Sequence, residues 1–199
     1  MAFDPDLPRC QWPGQPVRVS MLLAYHDTEW WVPVHDDRRH FEFLVLDAFQ
    51  AGLSWSTVLN KREKFRKAFD DLDPGRLARY TPRKVERLLG NTGIIRNRQK
   101  NEATIGNARQ FLALLEREGS FDAFIRQFAG GRTRHNRWHS LRQLPARTTQ
   151  PDAVSKALRA QGFRFTGSTI CYPCMQAAGL VNDHVTSCFR PAQLRRMAS

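Results

Sequence analysis

Phe41-Glu-Phe-Leu-Val-Leu-Asp-Ala-Phe-Gln-Ala-Gly-Leu-Ser-Trp55 decides the fold class of this 199-residue chain. Residues 41–50 are apolar nearly all the way round, the mark of a helix buried on most sides. Asp47 is the sole charge between Phe43 and Phe49. Burying an unpaired carboxylate is costly, so Asp47 needs a partner or must face a cavity. Its place late in the helix, near the negative end of the dipole, makes the cost worse. Two readings stay open: a functional carboxylate, or one that caps the next turn. Gly52 ends the helix and leaves Leu53 and Trp55 on the exit turn.

Helical spacing recurs outward from this stretch. Phe121, Phe124, Ile125 and Phe128 fall at i, i+3, i+4 and i+7, and Gly130-Gly131 stops the run. Thr81-Pro82 reads as an N-cap followed by Pro at the first helical position, with Val85, Leu88 and Leu89 as an apolar stripe. Residues 155–160 read as a short helix ending near Gly162. Period-2 segments are scarce; Phe163-Arg-Phe165 is too short for a strand. Residues 132–150, rich in Arg with His135 and His139, read as a loop-rich connection. The chain is therefore expected to be mainly α, a helical bundle of one or two lobes.

Leu88-Leu-Gly-Asn-Thr-Gly-Ile-Ile-Arg-Asn-Arg98 adds a nucleic-acid feature. A helix ends at Gly90, the chain turns through Asn91-Thr92, and a new helix is expected near Gly93. Free amides at a helix start bind anions, and Arg96, Arg98 and Lys100 surround them. The alternatives are a helix-hairpin-helix-like phosphate clamp, with Gly90 to Gly93 one residue off the usual glycine spacing, or a plain αα-turn. Charge favours a polyanionic partner: 31 Lys and Arg stand against 19 Asp and Glu, a net of +12. No run of about 18 apolar residues exists, so no membrane span is expected. Residues 1–16 lack a basic segment followed by an apolar one, so no signal peptide is expected and the chain reads as cytoplasmic.

Cys10, His26, His184 and Cys188 have the composition of a closed tetrahedral zinc site. On a helix, His184 and Cys188 would share one face. If all four bind one ion, the N-terminus is stapled to the C-terminal region; structural zinc contributes about 10–16 kcal/mol in small zinc modules. Otherwise they are separate buried thiols and hydrogen-bonded imidazoles. Cys171-Tyr-Pro-Cys174 has redox spacing, but it lies in an apolar stretch with no second such pair, and buried inert thiols are the better reading. Trp12, Tyr25, Trp30 and Trp31 surround the exit turn in the reading, either as a pocket for a flat ring or as core.

Ala24-Tyr-His-Asp-Thr-Glu-Trp30, Gln50-Ala-Gly-Leu-Ser-Trp55, Gly93-Ile-Ile-Arg96 and Gly179-Leu-Val-Asn-Asp-His184, in this order, resemble the 3-methyladenine-DNA glycosylase I family of bacterial base-excision repair enzymes. The resemblance runs from about Cys10 to Cys188. It implies a helix-hairpin-helix DNA glycosylase-like bundle, with one structural zinc on Cys10, His26, His184 and Cys188. It also implies a zinc-binding lobe of about residues 1–35 and 165–199 joining the termini, and a helix-hairpin-helix lobe of about 36–164, in one glycosylase domain. Tyr25 and Trp55 would flank a flipped base, Trp12 and Trp30 would shape the pocket, and Asp47 would stand where relatives carry a recognition Glu. Leu53, beside Gly52, would fill the vacated stack, and Gly93, Arg96 and Arg98 would hold phosphates. The implied partner is double-stranded DNA with alkylated bases; the implied state is a monomer.

Three departures touch recognition: Asp47 for Glu, Trp31 where the family usually has Gly, and Pro173 where relatives often have a small polar residue. They leave a rival reading, a catalytically altered or silent zinc-stabilised DNA-binding member of the same fold. A zinc-stabilised RNA- or protein-interaction module is the other.

Overall fold

In the computed structural model of the protein, which describes residues 4, 6–12, 21–144 and 149–197, the 41–50 stretch is indeed the central helix. The residues read for a leader and the connection at 132–150 each lie partly outside the described residues. The chain runs through α1 (Met21–Thr28), α2 (Asp37–Gln50), α3 (Trp55–Leu59), α4 (Arg62–Ala68), α5 (Pro74–Leu77), α6 (Pro82–Gly90), α7 (Arg98–Glu118) and α8 (Phe121–Arg126). It then passes β1 (Arg134–His135), α9 (Thr149–Ala160), α10 (Ser168–Ala177), β2 (Val181–Asn182) and α11 (Arg190–Met197). Among the described residues no helix is long and apolar enough to cross a membrane.

Asp36 starts α2 by accepting the Arg39 amide at 3.1 Å. Every residue from His40 to Phe49 is buried, as the all-round apolarity requires. Phe41 meets Phe111 of α7 (centroids 5.0 Å), Phe111 meets Phe121 of α8 (4.8 Å), and Phe49 meets Phe65 of α4 (4.7 Å). On its other side α2 packs against α10, which also lies on α9. Lys100, in the first turn of α7, reaches the far end of α2 and donates to the carbonyls of Phe49 (2.9 Å) and Ala51 (2.6 Å). A cation there satisfies orphan carbonyls and complements the helix dipole.

Several local expectations change. The helix at 155–160 begins earlier, at Thr149, and the 121–128 run tightens into a 3-10 turn at Gln127–Ala129 before Gly130. The helix after Gly90 starts at Arg98, capped by Asn97, not near Gly93. A short parallel ladder pairs Arg134 with Val181 and His135 with Asn182; two residues per strand are too few to show alternation.

The segment after α1 packs against the end of α10. Trp31 donates to the Gln176 carbonyl (3.1 Å) and Val34 to that of Ala178 (3.1 Å). Gly179, at φ +69°, permits this approach: a Cβ there would lie 2.5 Å from the Pro33 nitrogen. Arg62 of α4 bonds Glu42 of α2 (2.8 Å) and Glu29, just past α1 (2.7 Å). This ion-pair group fixes the register of α1 against the central helix.

Candidate functional site

Cys10, His26, His184 and Cys188 come together. All four are buried, and their ligand atoms lie within 4.8 Å of one another. His184 Nδ1 is 3.4 Å from Cys10 Sγ and 3.5 Å from Cys188 Sγ, and His26 Nε2 is 3.7 Å from Cys188 Sγ. Tetrahedral zinc with ordinary Zn–S and Zn–N lengths separates its ligand atoms by roughly 3.3–3.8 Å, so the donor set fits such an ion. His184 and Cys188 are brought together by a turn closed by the Cys188 amide on the Val185 carbonyl (2.9 Å). Burial holds the His184 imidazole down at about 4, leaving it neutral as a metal ligand must be. Through the hydrogen bond between the thiols, Cys188 falls well below the ordinary thiol range and Cys10 rises above it. His26 Nδ1 bonds Asp27 (2.7 Å), and Asp27 is clamped by Arg9 (2.8 Å). A carboxylate behind a ligating imidazole fixes its tautomer and orientation.

The aromatic residues form a wall on this cluster. Trp12 meets Trp30 edge-on at 4.4 Å and Tyr25 at 6.4 Å, and Tyr25 meets Trp55 at 5.3 Å. Trp30 lies 5.7 Å from the His26 ring and 5.1 Å from that of His184. Because Tyr25 and His26 are neighbours on α1, whatever holds the imidazole also holds the phenol ring. Trp31 is fully buried at φ +63°, a left-handed conformation that suits glycine. It stacks on Trp30 at 3.5 Å and meets His184 edge-on at 4.1 Å. The Trp31 ring therefore packs against both Trp30 and the metal-cluster imidazole.

Asp47 is 2% exposed, and its Oδ2 has no partner. Burial pushes its carboxyl well above the usual carboxylate range, opposed in part by a hydrogen bond from the Cys174 thiol. Asp47 also stands close enough to Tyr25 to raise that hydroxyl further, after burial itself. Cys174 follows Pro173 inside α10 and brings its thiol to the Asp47 carboxyl. Cys171 donates to the Thr166 carbonyl (3.3 Å). All four cysteines are free and buried, in keeping with inert thiols at this pair.

After α2, Gly52 adopts φ +79° and the Leu53 amide closes the turn on the Gln50 carbonyl (2.7 Å). Leu53 is 43% exposed, and it and Met21 are the exposed large hydrophobics among the described residues. Ser54 caps α3. The 91–98 turn differs from expectation. The Gly93 amide is taken by Asn91 Oδ1 (2.8 Å), so it does not stand free at a helix start. Arg96 is exposed, whereas Arg98 pairs with Glu86 (2.8 Å). Lys100, expected to surround this turn, is withdrawn to cap α2. Gly93, Arg96 and Arg98 thus share one turn, apart from the aromatic wall in sequence and held to it by that lysine. Two residues escaped the sequence reading: Cys174 as the partner of Asp47, and Asn101, fully buried with both amide atoms unpartnered. Asn101 carries no motif, and the Cys171-Tyr-Pro-Cys174 spacing points to redox or metal chemistry and not to a carboxyl partner.

The sequence model of the methyladenine glycosylase family matches residues 16–191. The chain belongs to that family. Within the family it is 45% identical over 180 residues to DNA-3-methyladenine glycosylase 1 of Escherichia coli strain K12, covering 90% of this chain and 95% of that protein. A crystal structure of 3-methyladenine DNA glycosylase I superposes with a TM-score of 0.87 at 49% identity, covering 91% and 98% of the two chains. Another family structure, a variant in complex with 3-methyladenine, gives 0.86 at 29% identity, covering 91% and 96%.

Proposed function

We propose that this chain excises 3-methyladenine from alkylated double-stranded DNA, hydrolysing the N-glycosidic bond to leave an abasic site. One observation carries the reading beyond family membership: a fully buried carboxyl, Asp47, keeps one oxygen unpartnered beside a cluster of electron-rich rings. An N3-alkylated adenine is cationic, and its glycosidic bond is already weak. Selectivity is the main task left to the protein. Tyr25 and Trp55 flank the extruded ring, with Trp12 and Trp30 shaping the pocket, and cation–π attraction is worth about 2 kcal/mol when desolvated. A cationic base beside Asp47 also favours the ionised carboxylate that burial disfavours. Asp47 then accepts from the base's amino edge, directly or through water, being shorter than Glu.

Leu53, carried on the Gly52 turn, fills the stack that the flipped nucleotide leaves; extrusion costs a few kcal/mol, less at a damaged pair. The turn that carries Gly93, Arg96 and Arg98 meets phosphate as part of a helix-hairpin-helix lobe of about residues 36–164, with the exposed Arg96 supplying charge and the Gly93 amide kept by Asn91. Residues of about 1–35 and 165–199 form a second lobe, with one structural zinc on Cys10, His26, His184 and Cys188. The mutual spacing of the four donor atoms and the carboxylate behind His26 support zinc there. In this reading the ion supplies rigidity; the base pocket is built by the protein's own rings. The chain acts as a monomer in the cytoplasm.

The deciding assay is chromatography of free bases released from methylated duplex DNA. Release of 3-methyladenine with little 7-methylguanine is expected. Duplex binding without release would favour the silent DNA-binding reading instead.

A further inference from the structure

The two imidazoles of the metal cluster are not equivalent. His26 turns Nε2 to the sulfurs and has Asp27 behind its other nitrogen. His184 turns Nδ1 to the sulfurs, and its Nε2, on the far side of a ring only 1% exposed, has no partner. With Nδ1 engaged by the cluster, Nε2 carries the proton and is a buried donor without an acceptor.

His184 lines a cleft of about 380 Å³ with Asn136, Arg137, His139, Thr186 and Arg195. No carboxylate among the described residues lines it. Asp183, the neighbouring residue, is fully buried, and its oxygens are taken by Asn136, Trp138, Tyr172 and Gln176. Arg137 and Arg195 are exposed and form no ion pair among the described residues. The wider field has the same sign. Downstream of Asp122, twelve Arg and Lys stand against Asp152 and Asp183 alone. The motif that brought His184 to attention explains its sulfur-facing nitrogen and leaves this one unused.

We propose that this cleft is an anion site for a phosphate group, with one oxygen accepting from His184 Nε2–H and the others held by Arg137 and Arg195. Guanidinium groups bind phosphate bidentately, which suits a cleft with two of them at its rim. The phosphate comes either from a nucleic-acid backbone reached on this side of the molecule or from a free phosphate-bearing small molecule. In either case the anion would complete the outer shell of the one metal-facing imidazole that lacks it.

The test uses zinc-loaded protein, with metal content measured, labelled with ¹⁵N in histidine. Inorganic phosphate, and separately a short undamaged duplex, are titrated while the His184 Nε2 resonance is followed. Phosphate should shift it saturably, and the Arg137→Gln/Arg195→Gln double variant should weaken that binding at least tenfold with zinc content unchanged. If the source is a DNA backbone, duplex reproduces the shift and the variant's slope of log K against log salt falls by about 1–2. If phosphate shifts the resonance and duplex does not, the site serves a free phosphate compound. If neither moves it and parent and variant bind phosphate alike, His184 Nε2 stays an unpaired buried donor and the proposal is overturned. Protein that folds without stoichiometric zinc would sink the metal reading, and the phosphate titration would still decide the cleft.

Discussion

At the residue scale, Asp47 and Trp31 each combine a cost with a use. Burial raises the folded-state pKa of Asp47, so the folded protein keeps a proton that the unfolded chain releases near pH ~4. Above that pH the group works increasingly against folding. Asp47→Asn should therefore raise the melting temperature more at pH 8 than at pH 5, by calorimetry. The same change should cut release of 3-methyladenine about 10- to 100-fold, the loss expected for a charge-assisted hydrogen bond of about 1.5–3 kcal/mol. Unchanged release would remove Asp47 from recognition. Trp31→Gly sets two terms against each other. Relief of the left-handed backbone is worth about 1–2 kcal/mol, whereas deleting a fully buried Trp costs about 3–5 kcal/mol. The deletion should win, with a net loss of about 2 kcal/mol in urea unfolding.

At the element scale, the end of α2 is where packing and recognition meet. Lys100 pins the last carbonyls of that helix from the first turn of α7, and so aims the turn that bears Leu53 and Trp55. Lys100→Met should cost about 1–3 kcal/mol of stability and weaken base release more than duplex binding, measured side by side. Gly179→Ala should be poorly tolerated at this buried position. The added carbon would strike the backbone of Pro33 at 2.5 Å in a left-handed conformation, for a loss of at least about 2 kcal/mol by thermal unfolding. These elements also show what could be read from the chain. α2 was legible because ten apolar-rich residues in a row leave no solvent face, and Asp47 was legible because it interrupts them. The Lys100 cap was not, since a contact across fifty residues leaves no local pattern. For the same reason the start of α7 was misplaced: Gly93 looks like a helix start, but Asn91 satisfies its amide and Asn97 supplies the real cap. The four ligand types were legible, but i, i+4 spacing fits a helix and a turn alike and does not say which joins His184 to Cys188.

At the scale of the whole molecule, the two ends of the chain share one cluster. In the zinc reading, a strong chelator should lower the melting temperature by more than about 10 °C, since even ~5 kcal/mol lost from a protein this size shifts it that far. Release of 3-methyladenine should fall with it, while low-salt duplex binding by the 36–164 lobe persists. Because thiols and imidazoles must be deprotonated to hold the ion, metal loss should set in as pH falls, followed by zinc-sensitive dye. A consequence follows for synthesis, which runs from one end only. Tyr25 leaves the ribosome long before Cys188, one of the groups that meet its neighbour His26. A chain cut short by a stalled ribosome or premature stop would carry the basic helices without a finished base pocket. It could occupy DNA, but it could not cut a base from it.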